Sequence, residues 1–336
     1  MADTNFFKTK PFEHQSEALH VGWNLPEFGY FMEMGTGKSK VLIDNLGMLY
    51  QNEQIDFALI IAPKGVYRNW VAKEIPEHMS EQVPHRVIRW VSGPNKKQAE
   101  EMRSVKDKFE GLTIFVMNVE SFSTVRGQKA GQWLSRAFGP KGMIAIDEST
   151  TIKNPKAKRT KNLIKIANGF KFRRLLTGSP VTKSPMDIFA QFEFLRQGLL
   201  GFESFYGFQG RYAIMNKVKM GAAAFNQIVG FRNLDDLNNR VDRYTFRVLK
   251  KDCLDLPEKI YTSRYVGLTQ DQHKMYQQIK EHAMVVLGDM DFVTAPMVIT
   301  QLLRLQQVLC GHLKTDDGHT VTFPSKRMDA LLEVIE

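Results

Sequence analysis

The sequence predicts an α/β fold, a parallel sheet covered by helices, followed by a mainly helical region. Three observations carry this. Short apolar runs bounded by turn residues recur at Phe57 to Ala62, Val87 to Val91, Leu112 to Met117, Met143 to Ile146 and Arg174 to Leu176, and such runs suit strands buried on both faces. Between them lie segments long enough for helices, Lys38 to Leu49, Gln98 to Phe109 and Lys158 to Ala167. Strand–helix alternation is the pattern of a parallel sheet wrapped on both sides. The third observation is a glycine-rich turn, Glu33-Met-Gly-Thr-Gly-Lys-Ser39, which follows the apolar stretch Phe28 to Met34.

That turn reads as a phosphate-binding loop. Gly35 and Gly37 let backbone N–H groups close around phosphate oxygens, the next helix offers its positive N-terminal end, Lys38 supplies a charge, and the Ser39 hydroxyl can hold Mg²⁺. The strict pattern has a glycine five positions before Gly37, where Met32 stands.

Polar clusters close the predicted strands: Ala62-Pro-Lys64, Asn118-Val-Glu120, Asp147-Glu148 and Thr177-Gly-Ser-Pro180. Ligands of open α/β sheets gather at those ends. Hydrolysis of ATP by water needs a lysine on the phosphates, a metal held by a hydroxyl and a carboxylate, and a group that orients water. Lys38, Ser39, Asp147 and Glu148 supply that set, Asp147 acting through the metal and Glu148 polarising the water.

After about Gln197 the chain turns helix-like, rich in Phe, Met, Gln and Asn, with little strand signal before Lys259 to Val266. Phe202, Phe205, Tyr206 and Phe208 form an expected packing cluster, Met297 to Leu309 an expected core helix, and Gly221 to Ala224 an expected mobile loop.

A chain of 336 residues predicts two or three compact units. No run is long and apolar enough to span a membrane, and the N-terminus lacks a basic region followed by an apolar one. The expectation is an intracellular protein, cytoplasmic or nucleoid, in the host cytoplasm if viral, with the nucleus also compatible. Cys253 and Cys310 lack paired metal-ligand spacing and read as reduced thiols.

The net charge of +10 favours a polyanionic partner. Its source is local: from Ser149 to Met186 there is no acidic residue, while ten Lys and Arg lie between, among them Lys153, Lys156, Arg173 and Arg174. Two readings stay open, a solvated helix face or a track for a phosphate backbone with strongly salt-dependent binding.

The ordered series His14-Gln15, Glu33 to Ser39, Ile61-Ala-Pro63 with Asn69-Trp70, Asp147-Glu148 followed by Ile152-Lys-Asn154, and Leu175-Leu-Thr-Gly-Ser-Pro180 resembles the first motor lobe of superfamily 2 helicases. Glu-Met before the loop, Asn-Trp after the second strand and Ile-Lys-Asn after the acidic pair narrow the resemblance to the Swi/Snf-type translocases of double-stranded DNA. Phe246 to Asp252, Leu256 to Lys259, Leu268 to Gln270 with Tyr276, and Leu302 to His312 are similar to the stretch leading into that family's second lobe.

The resemblance implies a RecA-like fold of the P-loop NTPase class, with a motor lobe over 1–197, a helical insertion over 198–258, and a connecting segment with the start of a second lobe over 259–336. It implies ATP and Mg²⁺ as cofactors, double-stranded or branched DNA as partner, no membrane, and a monomer. Gln15 would recognise adenine, and Gly35, Thr36, Gly37, Lys38 and Ser39 would bind the phosphates and metal. Thr177, Gly178 and Ser179 would couple nucleotide state to the DNA track. Lys64, Asn118, Lys153 and Lys156 would touch DNA. Where the family has Ala or Gly and then His after the acidic pair, Ser149 and Thr150 stand, and Thr150 is the expected shorter coupling contact. The resemblance also leads to the expectation of a truncated chain that binds ATP and hydrolyses it weakly, its arginine finger lying beyond Glu336. Two alternatives remain: a nucleic-acid-binding module with a vestigial nucleotide site, and the motor subunit of a restriction enzyme.

Overall fold

A computed structural model describes residues 6–220, 223–253, 260–288, 295–315 and 317–335. The chain divides into two compact units, Met1–Leu256 and Pro257–Glu336.

The first unit is built on seven strands: β1 (Glu27–Met32), β2 (Phe57–Ala62), β3 (His85–Arg89), β4 (Leu112–Asn118), β5 (Gly142–Asp147), β6 (Phe172–Leu176) and β9 (Thr245–Val248), with β7 and β8 forming a separate hairpin. Their order is β3-β4-β2-β5-β6-β1-β9, and every pairing is parallel. The predicted α/β class therefore holds, with RecA-like layering. Alternate residues of one strand feed two cores: Phe57, Leu59 and Ile61 enter one, and Ala58, Ile60 and Ala62 the other. Helices on each face are what make the continuous apolar run of β2 possible.

Helices α1 (Glu13–Gly22) and α2 (Lys38–Gln51) cover one face through Ala18, Leu19, Leu42, Leu46 and Leu49. The other face receives Leu134 of helix Val125–Phe138, Leu163 and Ile166 of helix Lys158–Ala167, and Phe189 and Phe192 of helix Asp187–Leu195.

The basic run does not form one surface. Arg174 of β6 is fully buried. Its Nε donates to Asn45 Oδ1 at 2.9 Å, and its two other nitrogens reach the carbonyl oxygens of Gly22, Trp23, Pro26 and Arg173 at 3.0–3.2 Å. Burial pushes its pKa down, yet a guanidinium stays protonated. Arg173 approaches Glu27 at 3.7 Å. Lys156, Lys158, Lys161, Lys165 and Lys171 remain exposed.

Of the expected helical insertion over 198–258, the described residues up to Cys253 belong to the same compact unit as 1–197 and are only partly helical, and 254–258 lie outside the described residues. Helices Phe205–Tyr212 and Leu234–Asp242 enclose the antiparallel hairpin of β7 (Ala213–Met220) and β8 (Ala223–Phe231), and β9 then returns to pair with β1. Four residues are too short for a periodic signal, which is why β9 falls within the expected helical insertion. Of the expected mobile loop, Gly221 and Ala222 lie outside the described residues, while Ala223 and Ala224 open β8. The aromatic cluster packs as expected around Phe208 and Tyr212, except Tyr206, which is 70% exposed.

In the second unit, helices Gln270–Gly288 and Ala295–Leu309 pair, with buried Gln272 donating to the Val308 carbonyl at 2.9 Å. A short hairpin, β10 (His312–Lys314) and β11 (Thr320–Thr322), precedes helix Lys326–Ile335. Two expectations fail here. Of the strand at Lys259 to Val266, Lys259 lies outside the described residues, and 260–266 pair with no strand among them. Met297 to Leu309 is not a core helix, because Ile299, Leu302 and Leu303 are more than half exposed. A helix pair with a small hairpin offers too little second layer to cover it.

Two substitutions test this framework. Arg174→Met removes five buried hydrogen bonds from a charged donor, to four carbonyls and Asn45, and should cost roughly 3–5 kcal/mol of unfolding free energy in urea; Arg174→Lys, a point charge without the fork, recovers little. On α2, Lys40 and Asp44 form a buried pair at 2.6 Å, and burial pushes the Asp44 carboxyl from 3.8 up to about 6 against the opposing pull of Lys40. The folded protein thus holds this proton more tightly than the unfolded chain, so the stability it contributes is complete below about pH 4 and lost as pH rises through 6. The stability of wild type relative to Asp44→Asn should fall between pH 4 and 6, and a flat or rising difference would refute the assignment.

Candidate functional site

Three of the predicted motifs meet because of strand order. β6 lies between β1 and β5, with Tyr30 beside Leu176 and Leu176 beside Asp147. One residue further on, Thr177 sits between the turn that leaves β1 and the acidic pair that leaves β5, its N–H donating to the Tyr30 carbonyl at 3.3 Å. Gly178 lies flat on the turn: a side chain there would come within 3.1 Å of the Met34 nitrogen.

The turn 33–39 has the geometry of an anion cradle. Gly35 and Gly37 take φ of +86° and +87°, a region costly for any other residue, and Gly37 is the N-cap of α2. The Glu33 carbonyl closes the turn, accepting from Thr36 Oγ1 at 2.7 Å and, weakly, from Lys38 Nζ at 3.5 Å. The Ser39 hydroxyl has no hydrogen-bond partner among the described residues. Thr36, expected among the phosphate-binding residues, uses its hydroxyl inside the turn, and its N–H also points to the Glu33 carbonyl at 3.2 Å, which leaves that N–H only in part for a ligand contact.

Gln15 is buried against the turn, its Nε2 donating to the Thr36 carbonyl at 3.0 Å and its Oε1 accepting from the Phe12 N–H at 3.0 Å. His14 Nε2 lies 2.8 Å from the same carbonyl. One N–H and one lone pair of the amide remain for a base. Beside it, an open cleft of about 780 Å³ is lined by Phe12, Glu13, His14, Arg247, Lys251 and others. Phe12, 62% exposed, stacks near-parallel with the His14 ring. Sequence reasoning passed over this ring because a single Phe before a helix carries no pattern.

Asp147 is held from two sides: Trp70 Nε1 donates to Oδ2 at 2.9 Å and the Glu148 N–H to Oδ1 at 3.0 Å. Burial pushes its carboxyl pKa up, with the indole opposing. The Asn-Trp signature thus acquires a role, since Trp70 fixes the carboxylate. Glu148 adopts φ +51°, a left-handed conformation that costs a non-glycine residue energy and is found where a side chain must be aimed. Its Oε2 faces Thr177 Oγ1 at 3.4 Å, and that oxygen accepts the Ser179 N–H at 3.2 Å.

Thr150 does not supply the expected coupling contact; it closes the short turn 149–152 through its backbone. Ser149 does instead. Its buried hydroxyl donates to Gln191 Oε1 at 2.6 Å, and Gln191 Nε2 donates to the Pro180 carbonyl at 2.7 Å. A side-chain amide, with donor and acceptor at opposite ends, bridges the two loops. Gln191 was missed because it lies mid-helix among Phe residues, where the pattern signals only packing.

The four residues expected to touch a polyanion separate. Lys64 is exposed and lines a groove of about 340 Å³ with Arg68, Ser92, Gly93 and Thr124, and Lys156 is also exposed. Asn118 is buried, its amide donating to Glu120 at 3.1 Å and its carbonyl accepting from Ser121 at 2.6 Å, so it shapes that groove. Lys153 is held by Thr182 and lies 3.7 Å from Asp187. No trio of His, Cys, Asp or Glu with metal-site geometry occurs among the described residues, and no helix among them is long and apolar enough to cross a membrane.

The SNF2-related domain matches the chain over residues 30–314. The chain is 26% identical over 306 residues to an uncharacterized ATP-dependent helicase of Mycoplasma genitalium, covering 90% of this chain and 26% of that protein. To the helicase-like transcription factor of Mus musculus it is 25% identical over 307 residues, covering 85% and 28%. It thus spans about a quarter of the length of these curated relatives. The Sulfolobus solfataricus SWI2/SNF2 ATPase core, solved in complex with dsDNA, shares the fold with a TM-score of 0.55 at 22% identity, over 99% of this chain and 65% of that one.

If the Ser149–Gln191 bridge joins the two loops, Gln191→Leu should destabilise the protein by roughly 1–3 kcal/mol, and Ser149→Ala combined with it should cost less than the sum. A coupling energy near zero in the urea denaturation cycle would remove the bridge.

Proposed function

Because the chain belongs to the SNF2-related domain family, we propose that it is the first lobe of an ATP-driven motor that moves on duplex DNA. The observation that carries this is the row Tyr30–Leu176–Asp147, which sets the phosphate turn, the Thr-Gly-Ser turn and the acidic pair side by side. The nucleic-acid partner draws support from the fold neighbour solved with dsDNA and from the basic groove around Lys64 and Arg68.

In this reading the backbone N–H groups of Gly35 to Ser39, the α2 N-terminus and Lys38 bind the triphosphate, while the base enters the cleft beside Phe12 and Gln15. Ser39 and Asp147 fit Mg²⁺, which commonly takes only one or two protein oxygens and completes its shell with phosphates and water. The free Ser39 hydroxyl and a carboxylate whose buried charge would gain from a cation support that fit. Bound there, Mg²⁺ would neutralise charge developing on the phosphates.

Glu148 takes the proton of the attacking water. One of its carboxylate oxygens is already placed against Thr177, so a change at the reacting end is felt by the Thr-Gly-Ser turn, whose Gly178 packs on the phosphate turn. Through Ser149, Gln191 and Pro180, the same change reaches helix Asp187–Leu195.

Lys38→Ala should abolish binding of a fluorescent ATP analogue, and Glu148→Gln should retain it, while in the full-length protein, with both motor lobes, Glu148→Gln should lower duplex-stimulated hydrolysis by about 10²–10⁴-fold. Duplex affinity should change on adding a non-hydrolysable ATP analogue in wild type and not in Lys38→Ala. A protein that binds duplex equally with and without nucleotide, and binds no ATP, would instead be a nucleic-acid module; stimulation by RNA alone would overturn the DNA assignment.

A further inference from the structure

We propose that Lys250 is a second phosphate-binding cation of the nucleotide site, delivered to it by the seventh strand and acting with Lys38 on the polyphosphate. The proposal rests on the reading of 33–39 as an ATP site. Three observations carry it.

The first is position. β9 lies beside β1 in register, Met32 opposite Val248, so the residues that follow β9 run alongside those that follow β1. The Lys250 N–H donates to Glu33 Oε2 at 2.8 Å, and the Glu33 N–H to the Val248 carbonyl at 3.0 Å, which pins the Lys250 backbone to the entrance of the turn.

The second is where the side chain goes. Lys250 Cε and Nζ lie 3.1 and 3.2 Å from the position a Cβ on residue 35 would occupy. The absence of a side chain at Gly35, with its φ of +86°, is what lets the lysine stem cross the turn. A polyphosphate seated on the turn would have this ammonium beside it, over Gly35.

The third is the state of the charge. Lys250 is half-buried, and its ammonium makes no hydrogen bond or ion pair among the described residues. Glu33, the acid that fixes its backbone, takes the N–H and forms no ion pair with the side chain. A partly desolvated cation without a partner is costly, and a phosphate oxygen offers the charge-assisted bond that offsets the cost. Lys38, buried in the turn, is held only by a long contact to the Glu33 carbonyl, so neither ammonium is tied up in an ion pair among the described residues.

The alternative is that Lys250 plugs the cradle and must be displaced by ligand; the two predict opposite signs. Affinities for ATP, ADP and AMP should be measured calorimetrically with Mg²⁺ for wild type, Lys250→Ala, Lys250→Arg, Lys38→Ala and Lys129→Ala, an exposed lysine on helix Val125–Phe138. Lys250→Ala should weaken ATP by about 10- to 100-fold and AMP far less, with Lys250→Arg restoring most of the loss and Lys129→Ala behaving as wild type. Only a phosphate contact weakens binding in proportion to phosphate number; a structural lesion would lower all three nucleotides alike. Unchanged or tighter ATP binding by Lys250→Ala overturns the proposal, and if Lys38→Ala still abolishes binding then the ATP reading survives without it. A wild type that binds no ATP removes both.

Discussion

Everything at the nucleotide site hangs from two segments, the strand that enters the phosphate turn and the helix that leaves it, and one guanidinium holds both. Arg174 reaches from β6 to the carbonyls of Gly22, Trp23 and Pro26, which lead into β1, and to Asn45 in the body of α2. Asn45 in turn donates to the Trp23 carbonyl at 2.8 Å. Arg174 forms no ion pair among the described residues, so its charge is matched by carbonyl dipoles, of which those of Trp23 and Pro26 also accept a second donor, from Asn45 and from the Arg173 N–H. The arrangement costs desolvation and gives a fixed distance between β6 and both flanks of the turn. That fixed distance is what allows Gly178 to touch the turn without displacing it.

The consequences run along the row of strand ends. In the proposed function the acidic pair senses phosphate and the Thr-Gly-Ser turn senses the acidic pair, which needs neighbouring strands, and the order β5-β6-β1 provides them. Trp70 and the Glu148 N–H orient Asp147, the left-handed Glu148 aims at Thr177, and Gln191 answers Ser149. The acidic motif lacks the histidine usual in the resembling family, and a serine with a distant glutamine amide takes up the connection.

Strands with long apolar runs, the glycine turn and the order of polar clusters were legible in the sequence because each depends on local chemistry: burial on both faces, positive φ, charge beside phosphate. β9 was not, since four residues on a sheet edge show no period. Gln191 and Lys250 were not, since their meaning arises from partners far along the chain. The basic run misled in part because sequence charge does not distinguish Arg174, wholly buried, from Lys156, exposed. Apolar spacing in Ala295–Leu309 likewise signals an amphipathic helix but not whether anything covers it.

The sheet order also governs when this site can come into being. The turn lies near the start of the chain, yet its strand β1 has for neighbours β6 and β9, so Glu27 waits for Arg173 and Gly29 for Thr245. During synthesis at about 5–20 residues per second, the earliest-made part of the nucleotide site therefore stands without sheet partners for roughly 10 s or more. Pairings of such sequence separation are also slow to form. The phosphate turn leaves the ribosome before its sheet neighbours yet is among the last parts of its unit to acquire its shape, and an exposed β1, with Phe28, Tyr30 and Phe31 uncovered, is the stretch most in need of protection while it waits.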